Sequence, residues 1–157
     1  MNTCSLPEQN KIETFSGAFH FLSNFHPARL MYGGIAYWTS EHAYQAQKTV
    51  NDNTRMNISI LQTPGEAKQY GKSVSLRPDW DEIKLEVMEA IVRAKFVQNP
   101  LLKEKLLATD DMELEEGNTW GDTYWGVCDG EGENHLGKIL MNLRKDLNTD
   151  IIVEESS

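Results

Sequence analysis

The stretch from Asp79 to Asn99 constrains this chain more than any other. Asp79-Trp80-Asp81-Glu82 has the capping and acidic residues that open a helix, and Asn99-Pro100 ends it at about Gln98. Stepping at about 100° per residue from Ile83 gathers Glu86, Glu89 and Arg93 on one side, which must face solvent. Nearly everything else is apolar: Ile83, Leu85, Val87, Met88, Ala90, Ile91, Val92, Ala94, Phe96 and Val97. So narrow a polar stripe turns the rest of the helix toward a core. Two lysines, Lys84 and Lys95, break the apolar arc nearly opposite the solvent stripe. A lysine amine is rarely buried without a partner. Lys84, in the first turns, can snorkel to water. Lys95, between Val92 and Phe96, is expected to reach either a buried carboxylate or an anion-binding cleft, with the cleft preferred.

The remaining elements are shorter. Phe15 to Phe25 is aromatic with small polar breaks and reads as a short strand and a loop. Leu30-Met31-Tyr32, Gly33-Gly34 and Ile35-Ala36-Tyr37 read as a hairpin. Thr39-Ser40 offers an N-cap for a helix through about Val50. Thr63-Pro64-Gly65-Glu66 is a capping box with proline at the first helical position, and that helix stops at Gly71. Pro100 starts a helix through about Leu107, and Leu114 and Tyr124-Trp125 are strand candidates. Asn134 is placed to cap a last helix from His135 to about Leu147, with Leu136, Ile139, Leu140, Leu143 and Leu147 at helical spacing. The fold class expected is α+β, mainly helical with a small β component. The strands do not alternate with helices, so a doubly wound sheet is excluded. The 157 residues suit one compact domain, placed at residues 14–148, with residues 1–13 and 149–157 as flexible termini.

The net charge of −9 argues against a protein that coats nucleic acid, and stable nucleic-acid binding is not expected. A small phosphorylated ligand held by a few lysines and backbone amides remains open. No apolar run approaches about 18 residues, and the start lacks the pattern of a secretory leader, so no membrane partner is expected. Cys4 and Cys128 read as free thiols in a reducing cytoplasm. The four histidines lack zinc spacing, and no phosphate-binding Walker loop or nucleophile elbow is present, so neither a metal nor a cofactor is expected. Trp38, Trp80, Trp120 and Trp125 all flank polar residues. Half-buried packing is the commoner meaning of such indoles, and a face turned to a ligand is the alternative.

Chemistry concentrates in three places. In Ser40 to Lys48, Glu41, Gln45 and Lys48 are spaced i, i+4, i+7 and form one helical stripe that faces either solvent or a cleft. Lys95 is the second place. The third is Tyr124 to Gly137, where Gly126, Gly130 and Gly132 precede the helix at Asn134. A glycine loop running into a helix start offers amides and a dipole to an anion, although Asp129, Glu131 and Glu133 repel one unless they point away. Trp125 adds a stacking surface and Asp122 a carboxylate. Carboxylates, lysines, indoles and amides together suit cleavage of a glycosidic bond through an oxocarbenium-like transition state.

FLSNF, TSEHAYQAQK, LRPDWDEIKLEVMEAIVRAKFVQNPLL, and YWG followed by GxGxNxLGxxLM together resemble the NADAR (YbiA-like) family from about Phe15 to Leu147. The resemblance implies a single YbiA-like domain and N-glycosidase activity on ribosylated bases. One branch hydrolyses ribosylamino-pyrimidine 5′-phosphates, early riboflavin-pathway intermediates. Another removes ADP-ribose from guanine in nucleic acid, and a non-catalytic reader of NAD or ADP-ribose is a further alternative. Carried over by motif, Asn24, Glu41, Gln45, Lys48, Trp80, Lys95, Asp122, Trp125 and Asn134 are expected to line the pocket. Among them Glu41, Lys48 and Asp122 are expected to be catalytic and the others, with Gly130 and Gly132 of the glycine loop, to contact substrate. Attack on the sugar is by Lys48, slightly favoured, or by a water that Glu41 activates, and Lys95 is the anion or sugar contact. Trp38 and Cys128 depart from the family pattern without removing a motif residue. Oligomeric state is not legible.

Overall fold

The computed structural model of the protein describes residues 10–156, with side chains over residues 10–149. In chain order the elements are β1 (Lys11–Ile12), a 3₁₀ helix (Gly17–Leu22), β2 (Leu30–Tyr32), β3 (Ile35–Tyr37), α1 (Ser40–Ala46), α2 (Asp52–Ser59), α3 (Pro64–Gly71), α4 (Trp80–Gln98), α5 (Pro100–Leu107), β4 (Glu113–Leu114), β5 (Gly117–Asn118), β6 (Val127–Cys128) and α6 (His135–Ser156). The chain is thus mainly helical α+β, as the sequence predicts. Among the described residues no helix is long and apolar enough to cross a membrane. The chain divides into two compact units, one running from His20 to Lys105 and the other combining the stretch up to Phe19 with that from Leu106 onward.

In the His20–Lys105 unit, β2 and β3 form the expected hairpin, with Leu30 opposite Tyr37 and Tyr32 opposite Ile35. Gly33 and Gly34 take φ of +58° and +83°, the pair of positive angles that a two-residue turn of the right twist requires. The outer edge of β2 is closed by a side chain. Met31 N donates to Gln98 Oε1 at 2.7 Å, and Gln98 Nε2 donates to Met31 O at 3.0 Å. On α4, Met88, Ile91, Val92 and Phe96 are buried and Glu86, Glu89 and Arg93 exposed, but Leu85 and Val97 are exposed too, so the buried arc is narrower than the apolar one. Asp79 does not cap α4 with its side chain. Its carboxylate instead takes two bonds from Arg77, at 2.7 and 3.2 Å. The capping box of α3 is real at Thr63, whose Oγ1 accepts from Glu66 N at 3.1 Å, while Glu66 reaches back to Gln62 N.

Three readings change. α1 stops at Ala46 rather than near Val50. The helix α2 was not legible because only Ile58 and Ser59 of its residues are buried, leaving no apolar period. Its start is nonetheless local, with Asn51 Oδ1 accepting from Thr54 N at 2.9 Å. The aromatic stretch after Phe15 is a 3₁₀ helix that buries Phe21 and Leu22, not a strand.

In the other unit β1 pairs in parallel with β4, Ile12 against Leu114, and Lys11 meets Glu115 at 2.5 Å. Residues 11–12 are therefore ordered sheet, a correction to the flexible terminus expected over residues 1–13; Cys4 lies outside the described residues. β5 pairs in parallel with β6, so the strand follows Tyr124-Trp125 rather than containing it. Leu136, Ile139, Leu140, Leu143 and Leu147 are all buried, as their spacing predicts. The α6 backbone stays helical to Ser156, well past Leu147 and through the stretch read as a flexible tail.

Candidate active site

α1 is held at its start by a locked imidazole. Thr39 Oγ1 accepts from His42 N at 3.1 Å and lies 2.7 Å from His42 Nδ1, while His42 Nε2 is 2.9 Å from Leu61 O. A carbonyl only accepts, so Nε2 carries the proton and Nδ1 accepts the threonine hydroxyl. Burial pushes the His42 pKa below the usual range and keeps this neutral form. Every residue of α1, Ser40 to Ala46, is buried. The solvent-facing reading of its polar stripe is thereby removed.

The buried polar groups bond to one another. Gln45 Nε2 donates to Glu41 Oε2 at 2.6 Å. Ser40 Oγ donates to Asn24 Oδ1 at 2.8 Å, Glu41 N donates to Asn24 O at 3.1 Å, and Asn24 Nδ2 sits 3.4 Å from Met88 Sδ. Asn24 thus braces the first turn that carries Glu41. Gln45 is only 4% exposed, and its Oε1 has no hydrogen-bond partner among the described residues. An unmade bond of this kind costs about 1–3 kcal/mol, so the amide is held against its own preference.

Lys48 follows on the turn after α1, its N–H donating to Gln45 O at 3.2 Å. Its Nζ stands 5.9 Å from the centre of the Tyr44 ring, which tilts against Trp80 at 5.2 Å. Burial lowers the Lys48 pKa most; the Glu41 charge opposes this, and Lys68, Lys72 and Lys84 add to the lowering. Trp80 is buried beneath this helix and packs rather than offering an open stacking face.

Lys95 is 1% exposed and reaches neither a carboxylate nor an open cleft, which corrects its expected part as an anion contact. Its Nζ donates to Ser23 O at 2.8 Å and lies 5.0 Å from the Phe96 ring centre. Desolvation brings its pKa down to about 7. Its bond fixes the carbonyl of the residue before Asn24. Beside it His20 and His26 face each other, Nδ1 to Nδ1, at 2.9 Å. Burial, then Lys95, His20 and Lys105, hold the His26 pKa down.

Asp122, Trp125, Gly130, Gly132 and Asn134 belong to the other unit. Asp122 Oδ1 accepts from Tyr124 N at 3.1 Å and Trp125 N at 2.9 Å, and Trp125 packs edge-on to Tyr124 at 4.8 Å. Cys128 and Glu131 exchange backbone bonds around Asp129 and Gly130, whose φ of +53° and +79° make a tight turn. Glu133, Asn134, His135 and Leu136 give their N–H groups to the carbonyls of Thr123, Gly126, Tyr124 and Trp125. Of the loop expected to cradle an anion over residues 130–135, the amides of Glu131, Glu133, Asn134 and His135 are therefore occupied. The Asn134 side chain does not cap α6; it accepts from Glu116 N at 3.0 Å and donates to Leu114 O at 2.9 Å. Of the other indoles, Trp38 and Trp120 are exposed.

Sequence reasoning missed Ser40, Met88 and Ser23, because nothing local signals that Asn24 meets residues 16 and 64 positions away or that Lys95 meets one 72 positions away.

The comparisons with known proteins agree with this architecture. The NADAR domain matches residues 8–148, and the chain belongs to that family. It is 40% identical over 128 residues to the N-glycosidase YbiA of Escherichia coli, covering 80% of this chain and 79% of that one. It is 42% identical over 132 residues to a riboflavin biosynthesis protein of Vibrio vulnificus, covering 81% of this chain but 35% of that protein, so it spans about a third of that relative's length. The solution structure of E. coli YbiA superposes with a TM-score of 0.79 at 34% identity, covering 93% of this chain and 92% of that one.

Proposed function

We propose that this chain is an N-glycosidase, a hydrolase of N-glycosyl bonds, acting on a ribosylated base that carries a 5′-phosphate, such as a ribosylamino-pyrimidine 5′-phosphate. The observation that carries the reading is the buried Glu41 carboxylate held by Gln45, followed one turn on by a half-buried lysine. The names of its relatives support the same activity.

In the proposed reaction the neutral Lys48 amine attacks the anomeric carbon while the bond to the base nitrogen breaks. The base leaves with the bonding pair, and Glu41 accepts the proton shed by the lysine nitrogen and passes it to the departing base. The ribosyl-lysine opens to a Schiff base, and water releases ribose 5-phosphate and the free amine. Lys48 suits this step better than Lys95, because Lys95 is wholly enclosed and bonded to Ser23. Around Lys48 the charges of Lys68, Lys72 and Lys84 make a local positive field in a chain of net charge −9. That field, rather than the occupied amides before α6, is assigned to the phosphate.

The test is product analysis by liquid chromatography after incubation with a ribosylamino-pyrimidine phosphate, an ADP-ribosylated guanosine, or NAD. Ribose 5-phosphate and free base from the first substrate are expected. Turnover of the second alone reassigns the substrate, and binding without turnover of any makes the chain a reader. Borohydride during turnover is expected to trap a sugar adduct that peptide mapping places on Lys48. No adduct, with robust turnover by Lys48→Ala, leaves attack to a water activated by Glu41.

A further inference from the structure

Gly71 is the last residue of α3 and is buried. Its backbone is not in the left-handed region, so no turn requires a glycine there. Alanine is the better helix former, and the ordinary expectation for Gly71→Ala is a more stable helix. Space decides otherwise. A Cβ at Gly71 would overlap Gln45 Oε1 and stand 2.8 Å from Gln45 Cδ and 3.3 Å from Gln45 Cβ. All three atoms belong to the side chain whose Nε2 holds Glu41 Oε2, and that side chain is only 4% exposed.

The orientation of the amide follows from the same geometry. A carboxylate only accepts, so the NH₂ group faces Glu41 and Oε1 is turned to the Gly71 notch, where it finds no donor. We propose that Gly71 is a positioning residue: the side chain missing at the end of α3 is the space in which Gln45 holds Glu41 as a hydrogen-bonded carboxylate. A donor on the ionised form favours that form. The other charges acting around Lys48 beside this pair are Lys68 on α3, Lys72 directly after it and Lys84 on α4.

The activity arm of the test rests on Glu41 acting as proposed above; the titration arm does not. Carbon-13 NMR of the Glu41 side-chain carboxyl in the intact chain is expected to show a pKa about one unit higher in Gly71→Ala than in the unaltered protein. On the ribosylamino-pyrimidine phosphate, kcat is expected to fall about 10–100-fold with KM within about threefold, since the carboxylate is displaced rather than removed. Gln45→Ala is expected to reproduce both changes, and adding Gly71→Ala to it to change neither further. Wild-type titration and turnover in Gly71→Ala would overturn the proposal, as would an undiminished Gly71→Ala effect in the Gln45→Ala background. If Gly71→Ala does not fold, recovery of folding in the double variant supports the clash and an equally unfolded double variant overturns it. If the unaltered protein turns over no substrate, the function above falls and the titrations alone decide the part played by Gly71.

Discussion

α1 and the approach to α6 are built from similar residues used in opposite ways. In α1, Gln45 bonds Glu41 and Ser40 bonds Asn24, side chain to side chain in a buried setting, and one amide oxygen is left unpaired. Before α6, Asn134 and Asp122 spend their side chains on main-chain groups, and the amides of residues 133–136 close on carbonyls. The second arrangement satisfies nearly everything and holds a loop in shape. The first sets a buried carboxylate beside an amide oxygen that has no partner among the described residues. Residue type alone does not separate structural from chemical use; the partner does.

Glu41→Gln is the sharpest way to break this contrast. The new amide oxygen still accepts from Gln45, so folding is expected to hold while kcat falls about 10²–10⁴-fold. Full activity in that variant would make α1 as architectural as the α6 approach. Asn134→Ala should do the reverse, losing about 2–3 kcal/mol through two stranded main-chain groups and lowering Tm by roughly 5–10 °C, with kcat within about twofold. A large kcat loss at unchanged Tm would reverse its assignment.

Lys95 tests the boundary between the two uses through pH. Its native pKa of about 7 lies below the unfolded value of 10.5, so between those values the unfolded chain binds more protons and stability rises with pH. Thermal melts are expected to show Tm climbing by about 5 °C from pH 7 to pH 9, and Lys95→Met to flatten that slope. A slope unchanged in Lys95→Met would mean the amine is charged in the native state. The smallest effect belongs to Asp122→Asn, which keeps an oxygen for Tyr124 N and Trp125 N. Its expected cost is under about 1 kcal/mol, with turnover within about threefold.

What the sequence made legible was what local chemistry decides. The Gly33-Gly34 hairpin, the Thr63 cap, the ends of α4 and α5 and the buried face of α6 depend on neighbours a few residues away. The i, i+4 spacing of Glu41 and Gln45 likewise put them on one helical face, where the structure joins them by a hydrogen bond. Asp79 was misread because Arg77, two residues back, competes with the helix amides for its carboxylate, and a carboxylate–guanidinium pair wins over a neutral cap. The partner of Lys95 and the notch at Gly71 depend on packing between distant segments, which no periodicity records. The glycine loop before α6 was read for its amides, but the Cys128–Glu131 turn and the carbonyls of residues 123–126 take those of Glu131 and of residues 133–136.

Gln98 carries a consequence for how this protein behaves in a crowded solution. A strand edge with unpaired amides is a template on which a neighbouring chain can add its own strand, and a pair of three-residue strands has little to resist that with. By taking both main-chain groups of Met31, the Gln98 amide acts as the last rung of the ladder and leaves no register for an intruder. Met31, half exposed on the same strand, would otherwise add an apolar foothold. The glutamine therefore closes the edge of β2 to strand addition at Met31, a duty separate from any chemistry.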